Sequence, residues 1–112
     1  MGLSVGIITF NEEKRLERTL ESVKSFADEV IIVDSGSTDK THEIAQKFSA
    51  NFFVESWKGY GLQKNSVIDK CKEDWILLID ADEVISPELK NKIIEIVNQS
   101  KDDVYEVNFT SV

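Results

Sequence analysis

The 112-residue sequence holds one cysteine, one proline and one histidine, and each scarcity excludes something. A lone cysteine cannot close an internal disulfide, which fits a reducing compartment. His42 has no second histidine or cysteine close by in the sequence, so it reads as a solvated helix position rather than a zinc ligand or a catalytic base. No stretch approaches the roughly 20 apolar residues of a membrane span. Met1 to Gly6 shows neither the basic start nor the long apolar core of a signal peptide. There is no low-complexity tract, internal repeat, or proline- or glycine-rich linker. Neither G-x-G-x-x-G nor G-x-x-x-x-G-K-S/T occurs, so the dinucleotide fingerprint and the P-loop are both missing. Positive charge is also short: 13 Lys and Arg face 21 Asp and Glu, a net −8. Such a domain repels nucleic-acid backbones. It can still take one phosphorylated ligand, because a divalent cation bridges carboxylates to phosphates.

What is present is an alternation of two periodicities in a chain of single-domain length, 41% hydrophobic and able to form a core. Leu3–Ile8, Val30–Val33, Asn51–Glu55 and Trp75–Ile79 read as strands, and Val104–Phe109 as a fifth. Between them lie helical patterns. Asn11 is expected to cap the first, with Leu16, Leu20, Val23 and Ala27 on its inner face. Thr41, Ile44, Ala45 and Phe48 mark the second, and Lys64, Val67, Ile68 and Cys71 the third, with Cys71 read as a core thiol. Ser86-Pro87-Glu88 starts the fourth, which presents Leu89, Ile93, Ile96 and Val97. The β-α-β alternation predicts an α/β fold, a mainly parallel sheet with helices on both faces. Ligands of such sheets bind at the carboxyl ends of the strands. That rule selects four loops: 9–13, 34–39, 56–64 and 80–83.

Asp80-Ala81-Asp82 is the sharpest local feature. Two aspartates one residue apart, leaving a buried strand, can address one Mg²⁺ or Mn²⁺, whose other ligands come from phosphates and water. A solvated acidic turn is the bland alternative. Asp34 ends its strand likewise, where a carboxylate can accept from a base N–H or a sugar hydroxyl. Ser37, Thr38 and Asp39 suit helix capping, and capping accounts for Asn11 and Glu12 as well as ligand contact does. Gly59 and Gly61 at a helix start, with Lys64 nearby, could face a phosphate or could form an ordinary turn.

Together the blocks Val5–Glu13, Val30–Asp39 and Trp75–Glu83 resemble family 2 glycosyltransferases of the GT-A fold, a Rossmann-like nucleotide-diphospho-sugar transferase architecture. The tract Trp57–Asn65 looks like bacterial lipopolysaccharide-core β-glucosyltransferases. The resemblance runs from about Leu3 to Phe109 and implies a donor-binding set. Thr9 and Glu12 would line the nucleotide pocket, Asp34 would meet the uracil ring, and Lys64 and Asn65 would lie near the nucleotide and diphosphate. Asp80 and Asp82 would meet the ribose and the Mg²⁺ or Mn²⁺. Ser35 departs from the family's more common second aspartate. The implied reaction is inverting transfer of a sugar from a UDP-hexose to an acceptor hydroxyl, in surface polysaccharide or lipopolysaccharide synthesis. The acceptor would be a saccharide or a lipid-linked one, met in the cytoplasm or at the inner membrane face. The family's general base lies further along the chain, in the acceptor-binding half, and is expected beyond Val112. Residues 1–112 are thus expected to be the donor-binding part of a longer enzyme, with the acceptor-binding part absent and no base to assign here.

Two other readings stand beside this one. Asp80-Ala81-Asp82-Glu83-Val84 also looks like the start of a haloacid-dehalogenase-type phosphatase, with Asp80 as nucleophile. That motif normally leaves a first strand, and here it leaves the fourth. The chain could also be a non-catalytic nucleotide-sugar-binding module or a fragment that forms a homodimer.

Overall fold

The computed structural model describes residues 2–99. Eight elements follow one another: β1 (Leu3–Thr9), α1 (Leu16–Val23), β2 (Glu29–Asp34), α2 (Thr41–Lys47), β3 (Asn51–Val54), α3 (Tyr60–Lys70), β4 (Trp75–Asp80) and α4 (Pro87–Gln99). The expected strand at Val104–Phe109 lies outside the described residues, as does the general base expected beyond Val112. The strands form one sheet in the order β3-β2-β1-β4, every pair parallel. The chain steps outward from β1 through β2 to β3, then returns to the other side of β1. The reversal falls between β1 and β4.

Strand alternation divides the sheet's side chains between two cores. Leu3, Val5, Ile7, Ile32, Leu77 and Ile79 pack with Leu16, Leu20 and Val23 of α1, Ala45 of α2, and Ile93 and Val97 of α4. Ile31, Val33, Ile8 and Leu78 face the other way, against Val67 and Cys71. Three helices therefore cover one face and α3 the other. Coverage on both faces explains why Val30–Val33 is apolar at every position rather than at alternate ones.

One helix start differs from the sequence expectation. α1 begins at Leu16, not after an Asn11 cap. Asn11 instead sits in the left-handed region at φ 52°, and Glu12 O accepts from Arg15 N and Leu16 N in a turn before the helix. α3 starts at Tyr60, where the paired glycines place a helix start, after Gly59 at φ 96°, a backbone state that favours glycine. The start of α4 is as expected: Ser86 Oγ accepts from Leu89 N at 3.1 Å.

Gly6 sets how closely α3 approaches the sheet. A Cβ there would lie 2.4 Å from Val67 Cγ1 and 2.9 Å from Leu78 Cδ2. Val67 is stiff and fully buried, so it cannot swing aside. Gly6→Ala is expected to lower stability by about 1–3 kcal/mol, the usual range for overpacking. A lowered urea midpoint at unchanged slope checks this, and an unchanged midpoint refutes it.

Candidate functional site

The loops after β1 and β2 are joined by hydrogen bonds that converge on Asp34. Its side chain lies at the sheet's carboxyl edge and is 1% exposed. Thr9 Oγ1 donates to it at 2.6 Å, Ser37 Oγ at 2.5 Å, Gly36 N at 2.8 Å and Ser37 N at 2.6 Å, filling the four acceptor positions of a carboxylate. Burial pushes the carboxyl up, but these hydrogen bonds outweigh it and hold Asp34 below the ordinary aspartate value.

The ties continue outward. Asn11 N donates to Ser37 Oγ at 2.7 Å, and Thr38 N donates to Asn11 Oδ1 at 2.9 Å. Glu12 N donates to Thr41 Oγ1, and Thr41 Oγ1 in turn donates to Asp39. Asp39 also accepts from Thr41 N and Glu13 N, so it organises the entry to α2.

On the other side of β1, α1 holds the loop after β4. Thr19 Oγ1 donates to Ala81 O at 2.8 Å, and Ile85 N donates to Ser22 Oγ at 3.0 Å. Ala81 is thereby turned into the core, and its neighbours Asp80 and Asp82 are turned out. Glu83 folds back so that Oε1 accepts from Asp80 N at 2.9 Å, clasping the turn. Burial raises the Glu83 carboxyl, and the Asp80 and Asp82 charges add to this.

A third clamp holds the segment before α3. Hydrogen bonds from Lys58, Lys70 and Ser66 lower the Glu55 carboxyl to about 2. The distances are 2.7 Å to Lys58 Nζ, 2.5 Å to Lys70 Nζ and 2.5 Å to Ser66 Oγ. Lys58 and Lys70 are thus engaged at the far end of β3.

These loops enclose a cavity of about 720 Å³, lined by Thr9, Glu12, Lys64, Asp80 and Asp82 among others. The volume is in the roughly 300–1,000 Å³ range of small-molecule sites. It lies between the carboxyl ends of β1 and β4, where the strand order reverses and open α/β sheets bind ligands. Five residues singled out from the sequence are therefore brought together. Asp34 and Asn65 are not among the lining residues: Asp34 is buried in its own loop, and Asn65 is exposed on α3. Arg15, Ser35, Trp57 and Tyr60 also line the cavity; the last three lie in loops that the carboxyl-end rule selects, without being singled out as site residues, and Arg15 lies outside those loops. The right angle between the Trp57 and Tyr60 rings, 4.9 Å apart, reflects packing across a turn that no periodicity reveals. Arg15 lies 3.6 Å from Glu12. Burial raises the Glu12 carboxyl, Arg15 opposes it, and Asp82, Asp39 and Asp80 add to the rise.

His42 is exposed and stacks on Phe52 at 4.4 Å, away from the cavity. Among the described residues no helix is long and apolar enough to cross a membrane. Among them, too, no group of three His, Cys, Asp or Glu side chains is placed to hold a metal ion. Asp80 and Asp82 remain as an outward pair on one wall of the cavity. That suits a hard cation that keeps water and takes its other ligands from phosphate.

A parallel sheet with an acid-walled cavity at its strand reversal, and basic side chains beside the acids, defines an α/β domain with a candidate ligand site at the carboxyl edge of its sheet. The glycosyl transferase family 2 profile matches residues 4–111, and the chain belongs to that family. It is 50% identical over 103 residues to an uncharacterized glycosyltransferase of Rickettsia bellii, covering 92% of this chain and 35% of that one. It is 37% identical over 107 residues to the lipopolysaccharide core biosynthesis glycosyltransferase LpsC of Rhizobium meliloti, covering 91% and 39%. It also resembles S. aureus TarS (residues 1–349) in complex with UDP, at 27% identity and TM-score 0.68, covering 88% of this chain and 32% of that one. The fold is that of the GT-A enzymes, and the chain spans little more than a third of the length of the curated relatives just named.

Two substitutions test this architecture. Because its folded carboxyl is depressed, the stability Asp34 contributes is complete above about pH 4 and is lost as pH falls toward the depressed value. Asp34→Asn is expected to cost about 1–3 kcal/mol at pH 7 and less near pH 3. Urea unfolding at both pH values measures it, and an equal deficit at both overturns the assignment. Thr19→Val leaves Ala81 O without its donor in the core. It should cost about 1–2 kcal/mol, and no loss in a denaturation curve would remove Thr19 as the anchor.

Proposed function

We propose that the chain is the donor-binding part of an inverting glycosyltransferase that uses a nucleotide-diphosphate sugar, with UDP-hexose as donor and Mg²⁺ or Mn²⁺ as cofactor. The observation that carries this reading is the pair Asp80 and Asp82, turned outward around the buried Ala81 into a cavity that Lys64 also lines. The UDP complex of the TarS relative supports a uridine nucleotide. The LpsC relative supports a lipopolysaccharide or similar surface-saccharide acceptor.

In this reading Thr9, Glu12 and Lys64 bind the nucleotide. Asp82, with Asp80, would hold the cation. When bound, that cation supplies positive charge to a diphosphate leaving group. Lys64 adds a fixed positive charge from the first turns of α3. The acceptor oxygen bonds to the sugar's anomeric carbon as the carbon–phosphate-oxygen bond breaks, with inversion. The acceptor's proton goes to a base supplied by the acceptor-binding part of the protein, beyond Val112. Asp34 serves the site by shaping the loops, since its acceptor positions are filled from within. Asn65, exposed one residue beyond Lys64, would approach the diphosphate from the cavity's rim.

Calorimetric titration with UDP tests the proposal. The wild-type chain is expected to bind UDP more tightly with Mn²⁺ than with EDTA. Asp82→Ala should weaken Mn²⁺-dependent binding about tenfold or more, a loss of roughly 1.4 kcal/mol. Equal affinity for the variant, or no binding by the wild type, overturns it.

A further inference from the structure

Gln63 is fully buried on α3 and does not line the cavity, yet it touches two segments that do. Its Oε1 accepts from Lys58 N at 3.3 Å, and its Nε2 donates to Ser35 Oγ at 3.4 Å. The amide's orientation is set by chemistry. A backbone N–H can only donate, so the oxygen must face Lys58 and the nitrogen must face Ser35. Ser35 Oγ is therefore an acceptor toward Gln63. Its own proton finds no acceptor among the described residues, and Ser35 lines the cavity. Asp34, one residue earlier, offers the opposite case: a carboxylate whose acceptor positions are used inside the loop.

We infer that Gln63 is a positioning residue that fixes the polarity of the Ser35 hydroxyl, so that Ser35 donates a hydrogen bond to an acceptor oxygen of the nucleotide bound in the cavity. The inference rests on the nucleotide reading above and goes beyond it. A side chain with no ligand contact decides whether the cavity presents a donor or an acceptor at this point. Because the same amide holds Lys58 N, it also sets the Trp57 turn against the loop after β2. One buried group thus couples two walls of the cavity.

A double-mutant cycle read by UDP affinity in the presence of Mn²⁺ tests it. Ser35→Ala is expected to weaken UDP about three- to tenfold, the value of one hydrogen bond. Gln63→Glu keeps the acceptor for Lys58 N but cannot donate as a carboxylate. Ser35 then turns its proton to residue 63, and affinity should fall by a similar factor. In the Ser35→Ala background the same change should cost little more, whereas Ser35→Thr should keep both the affinity and the coupling. Gln63→Met, which also lacks a donor, replaces Gln63→Glu if circular dichroism shows the latter unfolded. Wild-type affinity in Ser35→Ala, or an equal loss from the Gln63 change in both backgrounds, overturns the inference while leaving the nucleotide reading intact. Absence of UDP binding by the wild type overturns both.

Discussion

The site depends first on a buried negative charge. Asp34 sits at the end of β2, opposite Thr9 at the end of β1, and its carboxylate collects one donor from Thr9 and three from the loop that leaves β2. A carboxylate taken out of water without partners would be costly, so the donors must be in place whenever the loops are. Through Ser37 the order passes to Asn11, and through Asn11 to Thr38, so the chain beyond β1 has one path. The left-handed backbone of Asn11 follows from that path. An N-cap at that position would have required extended backbone and a side chain turned toward its own helix.

The second constraint is the strand reversal. Chains leaving β1 and β4 diverge, and the gap between them is the cavity. Its acid wall needs Asp80 and Asp82 to point the same way although they flank a buried residue. The chain turns tightly here, with Glu83 N donating to Asp80 O at 3.1 Å, and Thr19 secures the inward Ala81 by donating to its carbonyl oxygen. The helix after β1 thereby sets the geometry of the turn after β4, 62 residues away in sequence. The Glu55 clamp does the same for the third wall, fixing Lys58 and α3 to the end of β3.

The described strands and helices were legible in the sequence because their signals are local. Runs such as Val30–Val33 and caps such as Ser86 report on their own neighbourhood. The carboxyl-end rule turned that reading into a site, and it gathered Thr9, Glu12, Lys64, Asp80 and Asp82. What stayed hidden depends on direction and on distant partners. Ser35 and Asp34 are adjacent, and only the alternation at the strand's end decides that one faces the cavity and the other its own loop. Arg15 was hidden because it precedes a helix that starts later than the Asn11 cap would place it. Gln63 was hidden because a buried glutamine in an exposed-looking tract, Tyr60–Asn65, shows no pattern.

The electrostatics of the cavity explain why the acidity of the chain does not argue against an anionic ligand. Glu12, Asp80 and Asp82 face Arg15 and Lys64, and Arg15 is partly spent on Glu12. Left as they are, these charges would repel a diphosphate. Burial raises the Glu12 carboxyl, Arg15 opposes that rise, and the nearby acids add to it. In the proposed reading a hard divalent cation would reverse the balance, because it would take oxygens from both the aspartates and the phosphates. The binding of cation and nucleotide would then be mutually dependent: each supplies the charge without which the other is held weakly.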